Sequence, residues 1–157
     1  MQREKRRAGL AAILVVVAGL TTGSGLLGAT APAGDGQRLL NSKEGRAIVA
    51  AAKEHRRKIQ GTLDCSHLVY EVFTFAGFGY DYSPSDTIFR GMRGFQRVKK
   101  PQPGDLIVWR GHVGIVVDSE ERSFYSWRSV GPEMAQWDSR YWRRRGEVRF
   151  YRRQKPR

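Results

Sequence analysis

The chain has 157 residues with 40% hydrophobic and 27% charged side chains, and it carries a formal charge of +13. That length suits one ordinary domain rather than two, and the composition excludes a globally disordered chain. A single cysteine excludes any internal disulfide, so Cys65 is either an inert core residue or a reactive thiol.

The first 33 residues read as a secretory signal peptide. Arg3, Lys5, Arg6 and Arg7 form a basic start, Leu10 to Leu20 an apolar centre, and Ala31-Pro32-Ala33 a cleavage site. The alternative is a membrane anchor over residues 10–27, but Thr21 to Gly25 interrupt the apolar run and leave it short for a span. Export to the periplasm or the extracellular cell wall is therefore expected. Four bases and one acid before residue 34 leave about +10 for the rest. Much of that charge lies in an expected basic C-terminal tail that includes Arg140, Arg143, Arg144, Arg145, Arg149, Arg152, Arg153 and Lys155. For an exported chain such a tail suits anionic envelope polymers rather than nucleic acid, or it is simply a solvated face.

Residues 34–60 read as a linker followed by a helix. Asn41 and Glu44 can close a capping box, and Ile48, Ala52, His55 and Ile59 share one face of a helix that Gly61-Thr62 ends. Residues 61–157 form the remaining domain. Its first helix begins at Cys65 with Asp64 as N-cap, buries Val69, Val72, Phe73 and Ala76, and stops at Gly77 and Gly79. Cys65 falls on the same stripe, one turn before Val69. From Tyr80 to Lys100 no period appears, and the stretch reads as a loop held down by Phe89, Met92 and Phe95. After the turn Pro101 to Asp105, strands are expected at 106–109, 113–117 and 123–127, with a last one at 148–151. Helices followed by an antiparallel meander define an α+β fold: N-terminal helices packed on an antiparallel β-sheet.

A thiol at a helix N-terminus is poised to ionise, and an imidazolium beside it favours the thiolate further. His112 opens the second expected strand and supplies that imidazole if its strand runs beside the helix. It would also protonate a leaving amine. The N–H groups around Cys65 and Ser66 suit an oxyanion. A third polar group orients such a histidine, and Ser126, with Tyr125 behind it, is the candidate from the neighbouring strand. Taken singly, a cysteine on an apolar stripe is a core residue; the ordered combination of cap, Gly104-Asp105 turn and His112 strand favours a nucleophile. His67 reads as a surface helix residue and His55 as core or groove lining. No metal site is expected, because Cys65, His67 and His112 lack ligand-pair spacing.

The segments Asp64-Cys65-Ser66-His67-Leu68-Val69, Pro103-Gly104-Asp105-Leu106, His112-Val113-Gly114-Ile115 and Phe124-Tyr125-Ser126 resemble the NlpC-type (p-sixty) cell-wall cysteine peptidases, which have a permuted papain-like fold. Tyr141-Trp142-Arg143 through Arg149-Phe150-Tyr151-Arg152 is similar to the family's closing strand. The resemblance implies Cys65 as nucleophile, His112 as base, and Asp64 and Ser66 lining the pocket for the substrate's peptide end. It implies hydrolysis of peptide bonds in peptidoglycan stems without a metal; no cofactor is expected, and the protein is expected to be a monomer. His67 stands where the family usually has glycine, Ser126 where it has His, Asn or Gln, and Arg56 to Gly61 where many members have Tyr-x-x-Gly-Gly. The other expected readings are a cell-wall amidase using the same dyad and a non-catalytic basic cell-wall-binding module.

Overall fold

A computed structural model describes residues 36–58 and 64–156, which lie within one compact unit, Ala33–Arg157. The expected signal peptide, Ile59 and the Gly61-Thr62 helix break fall outside the described residues. The chain order is β1 (Gln37–Leu39), α1 (Ser42–Lys58), α2 (Cys65–Phe75), α3 (Ser85–Arg90), β2 (Phe95–Val98), β3 (Leu106–Trp109), β4 (His112–Asp118), β5 (Ser123–Arg128), β6 (Gly131–Gln136), α4 (Arg140–Arg143) and β7 (Arg149–Pro156).

The helix starts obey their local chemistry. The Glu44 N–H donates to Asn41 Oδ1 at 3.0 Å and the Asn41 N–H donates back to Glu44 Oε2 at 2.9 Å, closing the capping box of α1. Two facing glycines let α1 approach the turn before β3. A Cβ on Gly45 would sit 2.0 Å from the Pro103 carbonyl oxygen, and one on Gly104 would sit 2.5 Å from the Gly45 Cα.

All strand pairs are antiparallel. The sheet runs β1-β7-β3-β4-β5-β6, and β2 pairs with β7 as well. Alternation along the strands separates two apolar layers. Leu106, Val108, Val113, Ile115, Tyr125 and Tyr151 face α1, α2 and α3, where they meet Ile48, Ala52, Leu68, Val69, Val72 and Phe73. Ile107, Trp109, Val116 and Phe124 face the other way and are covered by Trp142 of α4. This is the expected α+β architecture, with helices on an antiparallel sheet.

The differences from expectation have physical reasons. The linker before α1 contains β1, which pairs with Gln154–Pro156. The stretch read as a loop holds α3 and β2, each too short to show a period. Phe89 and Phe95 are buried there as expected. β6 carries Gly131 and Pro132, which disfavour a strand, and it survives as the sheet edge beyond β5.

The expected basic tail is largely not a tail. β7 runs from Arg149 to Pro156 through the middle of the sheet, and its cations are engaged. Arg152 grips Asp105 through two bonds of 2.8 Å. Arg149 pairs with Glu147, Lys155 with Glu44, and Arg153 donates to the carbonyls of Phe78, Gly79 and Gly94. Outward-facing charge in this region is concentrated instead at Arg140, Arg143, Arg144 and Arg145, in and just after α4.

Candidate active site

Asp64 has an extended backbone, with φ −96° and ψ 173°, and its Oδ1 accepts the N–H groups of Ser66 at 2.7 Å and His67 at 2.9 Å. This caps α2 as the sequence predicts and places Cys65 in its first turn. The thiol is half-buried against the helix-side core. Val69, Val72 and Phe73 are fully buried below it.

β3 and β4 pair Trp109 with His112 at the mouth of a tight Arg110-Gly111 turn. His112 and Gly114 therefore share the face that carries Trp109 and Trp142. Gly114 is required by close approach: a Cβ there would lie 2.7 Å from Phe124 Cδ2 and 2.8 Å from the Tyr125 carbonyl oxygen. The His112 ring sits among indoles, with its centroid 4.8 Å from that of Trp142 and 6.2 Å from that of Trp109.

Cys65 and His112 meet in one cleft of about 480 Å³. Asp64 and Cys65 supply its helix side, Gly111 and His112 one strand end, and Trp127 to Ser129 the end of the next. Tyr141, Trp142 and Arg145 close it from α4 and the turn beyond. The cleft thus lies at the strand ends, where the two apolar layers of the sheet open to solvent.

One electrostatic expectation is corrected. His112 is not an imidazolium at rest. Burial, and then the positive charges of Arg145 and Arg128, push its pKa down to about 4. At neutral pH it is a neutral imidazole able to accept a proton, which is the state a general base requires.

The remaining site residues fall as follows. Ser126 lies on β5, the strand paired with β4, and is fully buried. Its Oγ and His112 Nε2 are both buried atoms without a hydrogen-bond partner. Ser126 lies against Gly114, its Cβ 3.0 Å from where a Cβ built on that glycine would sit, and Gly114 is two residues along β4 from His112 on the same face. Ser66 is buried, and its Oγ accepts the Ser85 N–H at 2.9 Å; it does not line the cleft. Asp64 does line it, but its second oxygen is engaged by His67 Nδ1 at 2.8 Å. Burial pushes the Asp64 carboxyl up, and the hydrogen bonds from His67 and Ser66 outweigh it and hold it below the usual carboxylate range.

His67 is exposed, as expected, and stacks on Tyr82 at 4.4 Å. His55 Nε2 meets Glu71 at 2.7 Å, away from the cleft. The aromatic and cationic wall formed by Trp127, Arg128, Tyr141, Trp142 and Arg145 was not assigned to the site from sequence. Its signal was available: four aromatic or cationic residues in Tyr141-Trp142-Arg143-Arg144 just beyond a strand.

A thiol at a helix N-terminus and a neutral imidazole at a strand end thus line one cleft of a helix-on-antiparallel-sheet fold. A scan against known families matches the NlpC/P60 family over residues 45–148, and the chain belongs to that family. Its members are generally cysteine peptidases or related hydrolases with a papain-like fold, associated with peptidoglycan. No curated protein matches the chain.

Proposed function

We propose that this protein is an exported cysteine endopeptidase that hydrolyses peptide bonds in peptidoglycan stem peptides. The observation that carries the reading is that the lone cysteine, at the start of α2, lines the same cleft as His112. The family supports the hydrolase class and the cell-wall substrate. The pattern of residues 1–33 supports export.

In this mechanism neutral His112 takes the proton from Cys65 Sγ as the sulfur attacks the scissile carbonyl carbon. N–H groups at the start of α2 hold the oxyanion. The C–N bond breaks as His112 returns the proton to the leaving amine. Water then attacks the thioester, gives a proton to His112, and releases the acid and the thiol. Ser126 is assigned as the positioning residue for His112 because its hydroxyl and His112 Nε2 are buried, have no hydrogen-bond partner at rest and stand on neighbouring strands, so that a bond between them would form as the site engages substrate. Ser66 shapes the site from below through Ser85, and Asp64 acts as helix cap and cleft wall. The exposed arginines of α4 are the surface for anionic envelope polymers.

The same two orphaned atoms favour a second reading, a cell-wall-binding module that keeps the fold without turnover. Incubating whole peptidoglycan with the protein and with Cys65→Ala, and sizing soluble fragments by mass spectrometry, separates the readings. Fragments cut within the stem, absent from the control, identify an endopeptidase. Intact released stems identify an amidase. Co-sedimentation of both proteins without release identifies the binding module.

A further inference from the structure

We propose that Arg140 and Arg144, one helical turn apart on the outer side of α4, bind successive phosphates of a linear phosphodiester polymer of the envelope and so dock the protein on the wall next to its own cleft. This deepens the reading of α4 as the surface for envelope polymers and rests on it.

Arg140 opens α4, and Arg144 is its C-cap, still in helical conformation with φ −76° and ψ −12°. Side chains four apart on a helix lie side by side, with about 5–6 Å between their Cβ atoms. Trp142 between them is buried against the sheet, so the helix turns its arginines outward. With Tyr141 and Arg145 they line a surface hollow of about 670 Å³. Tyr141 and Arg145 also line the cleft of Cys65, so the hollow adjoins it.

The acids around this surface are already paired elsewhere. Residues 131–150 hold three of them, Glu133, Asp138 and Glu147. Glu133 meets Arg128 at 2.6 Å and Asp138 meets Arg122 at 2.8 Å. Glu147 meets Arg149 at 2.9 Å and Arg97 at 3.0 Å. Arg140, Arg143 and Arg144 are exposed, and no carboxylate pairs with them among the described residues. Arg145 also faces the cleft, whose wall carries the Asp64 carboxylate, so its charge is not counted here.

The chemistry of the cations selects the anion. Each is an arginine, whose planar fork takes two oxygens of one phosphate. A linear polymer with one charge in every short repeat meets Arg140 and Arg144 together, whereas an isolated carboxylate meets only one of them.

The test is binding of fluorescent poly(glycerol phosphate), read by anisotropy over a salt series, with polyglutamate of equal charge and phosphatidylglycerol vesicles as the other probes. Replacing both residues, Arg140→Gln with Arg144→Gln, should weaken binding about ten-fold or more and lower the log–log salt slope by about 1.4, as for two phosphate contacts. Lysine at both positions keeps part of the affinity. Arg46→Gln with Lys53→Gln removes the same charge from exposed positions of α1 and should weaken binding by less than about two-fold. Equal losses from the two pairs would mean that binding follows net charge, and would overturn the site. Polyglutamate binding as tightly as the phosphodiester, or vesicles binding more tightly per phosphate, would overturn the choice of partner. No binding to any of the three probes rejects α4 as an envelope surface altogether. Cys65→Ala should bind like the wild type, so loss of turnover and loss of docking are read apart. The side chains of Arg140 and Arg144 are exposed, and equal thermal midpoints show that their variants keep the fold.

Discussion

The rings of His112 and Trp142 lie 4.8 Å apart and are tilted by 38°, and this contact closes the imidazole off from water. Trp142 is itself 2% exposed, although it belongs to a helix of only four residues. The short helix is therefore the lid of the site, and the basicity of His112 depends on it.

The acid limb of kcat/KM should consequently lie near pH 4 rather than at the usual histidine value of 6.5. Trp142→Ala lets water reach the ring and moves that limb upward, while costing about 3–5 kcal/mol of stability as a large core truncation. The pH–rate profile and urea denaturation check the two effects. A limb that stays in place in Trp142→Ala contradicts the link.

Stability should depend on pH through the same group. The folded pKa is depressed, so between pH 6.5 and about 4 the unfolded chain binds the extra proton. Falling pH in that window therefore destabilises the fold by up to roughly 3 kcal/mol, and above it the contribution is constant. Denaturation midpoints of the wild type and His112→Gln across this range measure it. The wild type should show the loss, and it should lose stability relative to His112→Gln as pH falls.

Ser126→Ala removes a hydroxyl that has no hydrogen-bond partner, so stability should change by less than about 1 kcal/mol. Its effect is expected in kcat, with KM unchanged. A drop of about 10- to 100-fold fits a weak orienter, well short of the ~10⁴ for loss of an aspartate in a serine triad. Unaltered kcat would remove Ser126 from the site.

Asp105 is 1% exposed and accepts two bonds from Arg152 and one from the Gln102 N–H. It joins the turn before β3 to the central strand β7. Asp105→Ala strands the arginine and should cost about 3–5 kcal/mol. Arg152→Ala should cost a similar amount, and the double variant less than the sum of the two. Additive losses would show that the pair is not a unit.

Gly104 and Gly77 both have positive φ, +86° and +80°, but only Gly104 touches another backbone. Gly77→Ala should cost about 1 kcal/mol from strain alone. Gly104→Ala adds a clash with Gly45 and should cost at least about 1–3 kcal/mol more. Thermal denaturation of the two variants compares them.

The legible parts of the sequence were those with local chemistry. Asp64 announces a helix cap, Asn41 and Glu44 a capping box, and Leu106 to Trp109 a strand, because each depends on residues close in sequence. β7 was cut short at Tyr151 because Arg152, Arg153 and Lys155 read as solvated. Their partners, Asp105, the Phe78 and Gly94 carbonyls and Glu44, are remote in sequence. The placement of Cys65 at a helix start and His112 at a strand start was legible for the same local reasons. Its cationic wall was not, because Arg128 and Arg145 converge only when α4 folds over the end of β5.

The most direct test of Cys65 as nucleophile uses its being the only cysteine. The protein is labelled with iodoacetamide to graded extents, and each sample is divided between intact-mass analysis and digestion of peptidoglycan. Hydrolysis should fall in proportion to labelling of Cys65 and vanish at one label per chain. Full labelling with undiminished hydrolysis would contradict the account.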